Sequence, residues 1–355
     1  MAAYISFQPS DFFNTKLYTG TGASLAITGV GFQPDFVWAK NRDATDNHTL
    51  FDSPRGVTEY LGSNTTSAEA TGADSLNSFD SDGFTLGTWG DINGSGEDYV
   101  SWNWKGGTTS GITTDGSTTI TPSAYSFSAT AGISIVKYSG NSTSGAKVAH
   151  GLGAAPGMII VKTINTANSW NIYQQALDAT APEDYYMTFG TDARTDDSSR
   201  WNDTAPDSVN FTLGNAAAVN GSSNTMIAYC FAEKKGFSKF GIYTGNSNAD
   251  GTFIYTGFRP AYFLIKANNG AEPWLVWNNK TEGFNAAGSA TTGNNRLTVS
   301  STAAEDATNE LDIVSNGIKI RNTGGQLNSS SYTYIYAAFS EFPIVSSNDV
   351  PVVAR

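Results

Sequence analysis

One phrase occurs three times along the chain, and it constrains the fold more than any single motif. Leu17-Tyr18-Thr19-Gly20 leads to Gly31-Phe32-Gln33-Pro34, then to Phe36-Val37-Trp38-Ala39-Lys40. Lys137-Tyr138-Ser139-Gly140 leads to Ala155-Pro156, then to Met158-Ile159-Ile160-Val161-Lys162. Ile242-Tyr243-Thr244-Gly245 leads to Gly257-Phe258-Arg259-Pro260, then to Tyr262-Phe263-Leu264-Ile265-Lys266. Each proline stands six residues before its lysine, and the prolines are 122 and 104 residues apart. Self-similarity of this kind is the mark of one scaffold used repeatedly, in an array or fibre segment rather than a single-site enzyme. Units of about 100 residues can bury cores of their own, unlike the short repeats of a solenoid.

The residues around the phrase predict strands. Gly, Ser, Thr and Asn carry the polarity, which favours strands joined by tight turns. The runs after each proline are continuously apolar and rich in β-branched and aromatic residues, as in strands buried on both faces. A strand bearing Phe or Trp follows: Thr49-Leu50-Phe51, Trp170-Asn171-Ile172-Tyr173 and Trp274-Leu275-Val276-Trp277. Hairpins come next, with Asn316-Gly317 a type I′ turn signal. Each unit closes on an aromatic strand: Tyr99 to Trp104, Met226 to Phe231 and Tyr332 to Phe339. No segment of helical period stands out, and Ser301 to Asp306 is expected to make one helical turn.

The predicted fold is all-β, with three tandem β-sandwich, jelly-roll-like domains of one repeated type. The boundaries are an N-terminal arm over 1–12, a first repeat over 13–106, a Gly/Thr-rich linker over 107–130, a second repeat over 131–235, a third over 236–342 and a tail over 343–355. With few Leu and Ile per unit, the aromatic residues must supply much of the core, each contributing roughly 1.5–3 kcal/mol when buried. The eight tryptophans are therefore expected inside rather than on a ligand surface.

The net charge of −12, with no basic cluster, removes the electrostatic footprint of a nucleic-acid binder. No apolar stretch reaches the ~18 residues of a membrane span and no signal-like segment follows Met1, so a cytoplasmically made, soluble chain without membrane insertion is expected. The lone Cys230 sits in an apolar run and excludes an internal disulfide framework.

Catalytic constellations are missing. His48 and His150 fall at different points of the repeat, and no nucleophile elbow, Walker loop or Rossmann fingerprint is present. Glu59, Glu69, Glu97, Glu183, Glu272 and Glu282 are scattered in loops, none in an apolar setting that would prepare it as an acid. No enzyme activity and no cofactor are expected. The candidate Ca²⁺ ligands are Asp91, Asn93, Ser95 and Asp98, in an acidic loop near Asp80 and Asp82. The EF-hand spacing fails there because Trp102 stands where a bidentate Glu is needed.

In combination, Tyr18-Thr19-Gly20, Gly31-Phe32-Gln33-Pro34-Asp35, Phe51-Asp52-Ser53-Pro54-Arg55-Gly56, Phe79-Asp80-Ser81-Asp82-Gly83-Phe84 and Trp102-Asn103-Trp104-Lys105 resemble a repeat domain of unknown function. That domain is found in tail-fibre and other virion structural proteins of marine and cyanobacterial tailed phages. His150 to Pro156 with Ile159 to Lys162 resembles a second copy, although the Arg-Gly and Asp-Gly elements are lost there. Ala338 to Val345 and Val352 to Arg355 resemble the family's C-terminal tail. The resemblance implies a structural virion protein assembled in a bacterial cytoplasm, a tail-fibre or tail-appendage component contributing to host-surface recognition. A capsid decoration or cement protein is the alternative. The partners implied are other virion proteins, further copies of the chain (a trimer by analogy) and a host-surface glycan or protein. The variable stretches 62–76, 178–206 and 285–310 are the expected contact surfaces.

Overall fold

The structure, a computed structural model, describes residues 5–281, 294–308, 310–341, 344–345 and 351–352. It is predominantly β, built of antiparallel sheets. Each copy of the repeated phrase forms one large sheet. The first runs in the order Phe13–Thr19, Asp98–Trp104, Phe36–Asn41, Thr49–Asp52, Glu59–Gly62, Ala70–Thr71. The third repeats it with Ser238–Thr244, Thr333–Phe339, Tyr262–Ala267, Leu275–Asn278, Asn294–Thr298 and Asp306–Thr308. The second has five strands, in the order Ala124–Ser128, Ile133–Ser139, Thr225–Phe231, Met158–Thr163 and Asn171–Gln174. Its edge strand Ala124–Ser128 comes from the Gly/Thr-rich linker, which thus carries a strand of its own.

The strand after each proline is flanked by a strand on both sides in its sheet, and all six residues of each are buried. Alternation divides their side chains between two cores. Val37 and Ala39 point to a layer shared with a small sheet of Leu25–Ile27, Gly83–Leu86 and Leu76–Asp80. Ile159 with Val161, and Phe263 with Ile265, do the same in the other two segments. The opposite faces, with Phe36, Trp38, Met158, Ile160, Tyr262 and Leu264, merge into one core common to all three segments.

The last residues of the three closing strands meet in that common core. Ring centroids of Trp104 and Phe339 are 5.6 Å apart, Phe231 and Phe339 5.4 Å, and Trp104 and Phe231 6.2 Å. They border an apolar void of only about 20 Å³. Seven of the eight tryptophans are buried, and Trp89 is half-buried. Phe7 of the leading segment packs against Phe12 and also against Phe237 of the third segment.

The Tyr-x-Gly element has a single structural role in all three copies. The hydroxyls of Tyr18, Tyr138 and Tyr243 donate to the carbonyls of Ile92, Val219 and Leu327 at 2.9, 2.8 and 2.7 Å. The next residue is a buried asparagine each time: Asn93, Asn220 or Asn328. Its side chain accepts the N–H of Thr21, Asn141 or Asn246 and donates back to nearby carbonyls. The backbone of this asparagine turn lies against the glycine of the phrase. A Cβ at Gly20, Gly140 or Gly245 would come within 2.2, 2.4 or 2.3 Å of the carbonyl oxygen of Gly94, Gly221 or Ser329.

Among the described residues helix is confined to short pieces, Gly90–Asn93, Ser198–Trp201 and Ala217–Asn220 being the α-helical ones. The helical turn expected over Ser301 to Asp306 is not formed. Asp306 is already in a strand, and the Glu305 N–H donates to the Arg42 carbonyl at 2.7 Å instead.

Candidate functional site

The three segments are closed into a ring, and the closure is built from residues at fixed offsets from the repeated lysine. Two residues after each lysine, the carbonyls of Arg42, Ile164 and Asn268 accept N–H groups from Glu305, Glu69 and Arg194 at 2.7, 2.8 and 2.9 Å. Each donor belongs to the preceding segment of the ring, the third segment preceding the first. Eight residues after each lysine stand His48, Trp170 and Trp274. Their ring nitrogens meet the carbonyls of Thr298, Gly62 and Thr188 at 3.1, 2.9 and 2.7 Å, again across the three seams.

The lysines themselves are fully buried. Lys162 donates to the Thr66 and Thr163 carbonyls, and Lys266 to those of Thr191, Ala267 and Gly270. Lys40 donates to Asn41 and Ala44 within its own segment. Burial pulls all three amines down from 10.5 to about 8. These ammonium groups are tied to backbone and hold loops in place, so they are scaffold.

The seams also carry unequal side-chain pairs. Asp52 sits between the Arg55 guanidinium, 2.5 Å away, and the Tyr229 hydroxyl of the second segment, 2.7 Å away. Arg55 reaches Glu69 as well, at 3.1 Å. At the position of Asp52 the second segment has Gln174, whose amide donates to the Gly241 and Tyr336 carbonyls. Arg42 pairs with Glu305 at 2.6 Å between first and third segments.

Where the three seams converge, Phe189 packs its ring against Trp38, Trp170 and Trp274, one tryptophan from each segment, at 5.7, 5.4 and 5.6 Å. Ser63 and Val299 stand at the matching positions of the other two segments, and the Ser63 hydroxyl donates to the Val299 carbonyl at 2.9 Å. Over this convergence lies a surface depression of about 290 Å³, lined by residues 63–66, 169–170, 188–190, 192 and 300. Buried Ser63, Trp170 and Phe189 form its floor, while Thr66, Ser169 and Asp192 stand exposed at its rim. Its lining holds a carboxylate, hydroxyls and an amide, but no Lys or Arg. This depression, to which all three segments contribute, is the candidate site.

Parts of the stretches expected to be contact surfaces supply these seams and this depression. Residues 282–293 lie outside the described residues. Glu69, Arg194 and Glu305 clasp the next segment, while Thr66 and Asp192 look outward.

The proposed Ca²⁺ ligands are placed as follows. Asn93 is fully buried, its oxygen accepting from Thr21 and its nitrogen donating to Ala23 and Gly87. Asp98 accepts from the Thr19 hydroxyl at 2.8 Å. Asp91 is half-buried, and its carboxyl is raised by burial and by Asp46. Ser95 is exposed beside Gly22. Among the described residues no group of three His, Cys, Asp or Glu side chains is placed to hold a metal ion. Asp82 caps the N–H groups of Gly29 and Gly31, and Asp80 accepts from Thr85.

The remaining chemically interesting groups are also occupied by structure. His150 accepts the Leu152 N–H and its other nitrogen meets the Asp207 carbonyl. The Cys230 thiol is buried and pushed up by desolvation. Glu69 departs from the expectation for the loop carboxylates. Burial raises it, against the pull of Arg55. Its carboxylate is committed to that arginine. What the motifs do not reveal is the equivalence of the repeated asparagine in the three segments and of the residue eight after each lysine: Asn93 stands out only as a Ca²⁺ candidate and His48 only as an isolated histidine. The signal for the first is a shared place between the last strand of each small sheet and the closing strand, and for the second a constant offset.

The family described as a domain of unknown function, DUF7483, matches residues 8–343, so one family unit spans all three segments. No curated protein and no solved structure matches the chain.

Proposed function

We propose, from the premise that this chain belongs to the DUF7483 family, that it is a structural virion protein of a tailed phage. In this proposal it serves as a tail-fibre or tail-appendage component that contributes to host-surface recognition. The segments are three sandwich-type, jelly-roll-like repeats of one kind, each with an apolar layer between a large and a small sheet. The observation that carries the proposal is the convergence of polar loops from all three repeats on one depression, above a rigid aromatic core. The chain's buried lysines, histidines and asparagines are bound to backbone groups, which favours a non-covalent binding role over catalysis. Loops on a rigid β scaffold are a common setting for recognition.

The test is immunogold labelling of purified virions with antibody to this chain, paired with binding of the fluorescent protein to host cells. Label on tail appendages together with cell binding is the expected result. Label distributed over the head would overturn it in favour of a capsid decoration protein. Self-association, with a trimer as the expected state, is read by light scattering on the same sample.

A further inference from the structure

We propose that the depression at the convergence of the three segments is a binding site for a neutral, hexose-sized saccharide, a ligand class that rests on the host-recognition proposal above. The volume, about 290 Å³, is at the small end of ligand pockets and suits one sugar ring rather than a peptide. The lining chemistry selects the class. Asp192 is exposed at the rim with a carboxylate that can accept from two neighbouring hydroxyls. Thr66, Ser169 and Ser300 add hydroxyls that both donate and accept. Trp170 and Phe189, only 2% and 5% exposed, back the depression with a narrow apolar strip rather than an open ring face, so the polar rim carries most of the recognition. With Asp192 at the rim and no cationic side chain in the lining, a phosphate or carboxylate ligand would find no side chain there to pair with directly.

The floor is preorganised. The Trp170 indole is fixed by the Gly62 carbonyl at 2.9 Å, and Phe189 by three tryptophans. A ligand would therefore bind without ordering the aromatic groups beneath it. The ligand's own size, about a dozen heavy atoms, sets the expected Kd on the order of 1 mM. Avidity across many copies on a particle would raise the effective strength.

The experiment is saturation-transfer NMR of the full chain with methyl glycosides of glucose, galactose, mannose and N-acetylglucosamine. Saturable transfer to at least one is expected. Asp192→Ala should weaken it at least ten-fold, and Ser169→Trp, which fills the depression from its rim, should abolish it. Ser222→Trp, on an exposed turn outside the depression, should leave it unchanged, and circular dichroism checks that each variant is folded. Transfer to none of the four sugars, or equal transfer by wild type and both site variants, overturns the proposal. Binding to host cells that survives Ser169→Trp overturns the saccharide site and leaves host recognition standing. Sugar binding by a wild-type chain that ignores host cells does the reverse.

Discussion

The indole N–H of Trp38 donates to Nδ1 of His48 at 3.0 Å, while Nε2 of the same imidazole faces the Thr298 carbonyl across a seam at 3.1 Å. Only the neutral ring with its proton on Nε2 satisfies both. A proton on Nδ1 would set two donors against each other. Burial, and then the neighbouring Lys40, push His48 down from 6.5 to about 3. The unfolded chain therefore binds a proton in this window that the native chain refuses. The stabilisation is present above pH 6.5 and is lost as pH falls toward 3, at up to ~1.4 kcal/mol per pH unit. Urea midpoints measured from pH 7 to pH 4 should show this slope.

The second and third segments solve the same seam differently, with Ile160 or Leu264 in place of Trp38 and Trp170 or Trp274 in place of His48. Exchanging both residues should therefore work better than exchanging either. Trp38→Leu leaves Nδ1 of His48 without its donor, and His48→Trp leaves the Trp38 indole without its acceptor. The double variant removes both faults. A double-mutant cycle should give a favourable coupling of roughly 1 kcal/mol or more. The double variant should also lose the acid slope described above, and an additive cycle with an unchanged slope would falsify the pairing.

The Asp52 carboxylate is the pivot of the first seam, held by Arg55 on one side and Tyr229 on the other. Tyr229→Phe removes one neutral donor and should cost about 1 kcal/mol, since the arginine remains. Arg55→Met leaves a buried carboxylate with its main partner gone, and losses of ~3–5 kcal/mol follow from that imbalance. Guanidinium denaturation of the two variants should rank them in this order.

The glycines of the repeated phrase tolerate no side chain because a carbonyl oxygen already occupies the space. Gly20→Ala, Gly140→Ala and Gly245→Ala should each destabilise by ~2 kcal/mol or more, since the crowding partner is backbone and cannot rotate away. A Cβ at Gly116 would meet nothing within 4 Å, which makes that glycine the matched control. Equal thermal midpoints for Gly116→Ala and Gly140→Ala would show that the asparagine turn yields more easily than its packing implies.

The strands after the prolines, their burial on both faces and the role of the aromatic residues as core were legible from the repeated phrase. Apolar runs such as Tyr262 to Ile265 can be stable only when covered on both sides. The ring was not legible, for a physical reason. The contacts that recur at all three seams join side chains or N–H groups to backbone carbonyls, and a carbonyl leaves no trace in residue identity. Gly62, Thr188 and Thr298 serve equally as acceptors with no resemblance as side chains. Glu69, Arg194 and Glu305 likewise act through backbone N–H groups, so opposite charges occupy equivalent places. The depression was hidden for the same reason, because its lining comes from loops brought together only by that closure.

The hydrogen bond from Glu305 back to Arg42 changes how the protein must come apart. In a linear row of repeats the end units have one neighbour, fray first and melt at lower temperature than the middle. Here the third segment returns to the first, so every unit is flanked twice and there is no end from which to unravel. Breaking one seam exposes the aromatic core that the other two also need. Heat should dissolve the three repeats in one cooperative step, with a calorimetric enthalpy equal to the van't Hoff value. Three resolved transitions would mean that the repeats hold themselves together and the ring merely gathers them.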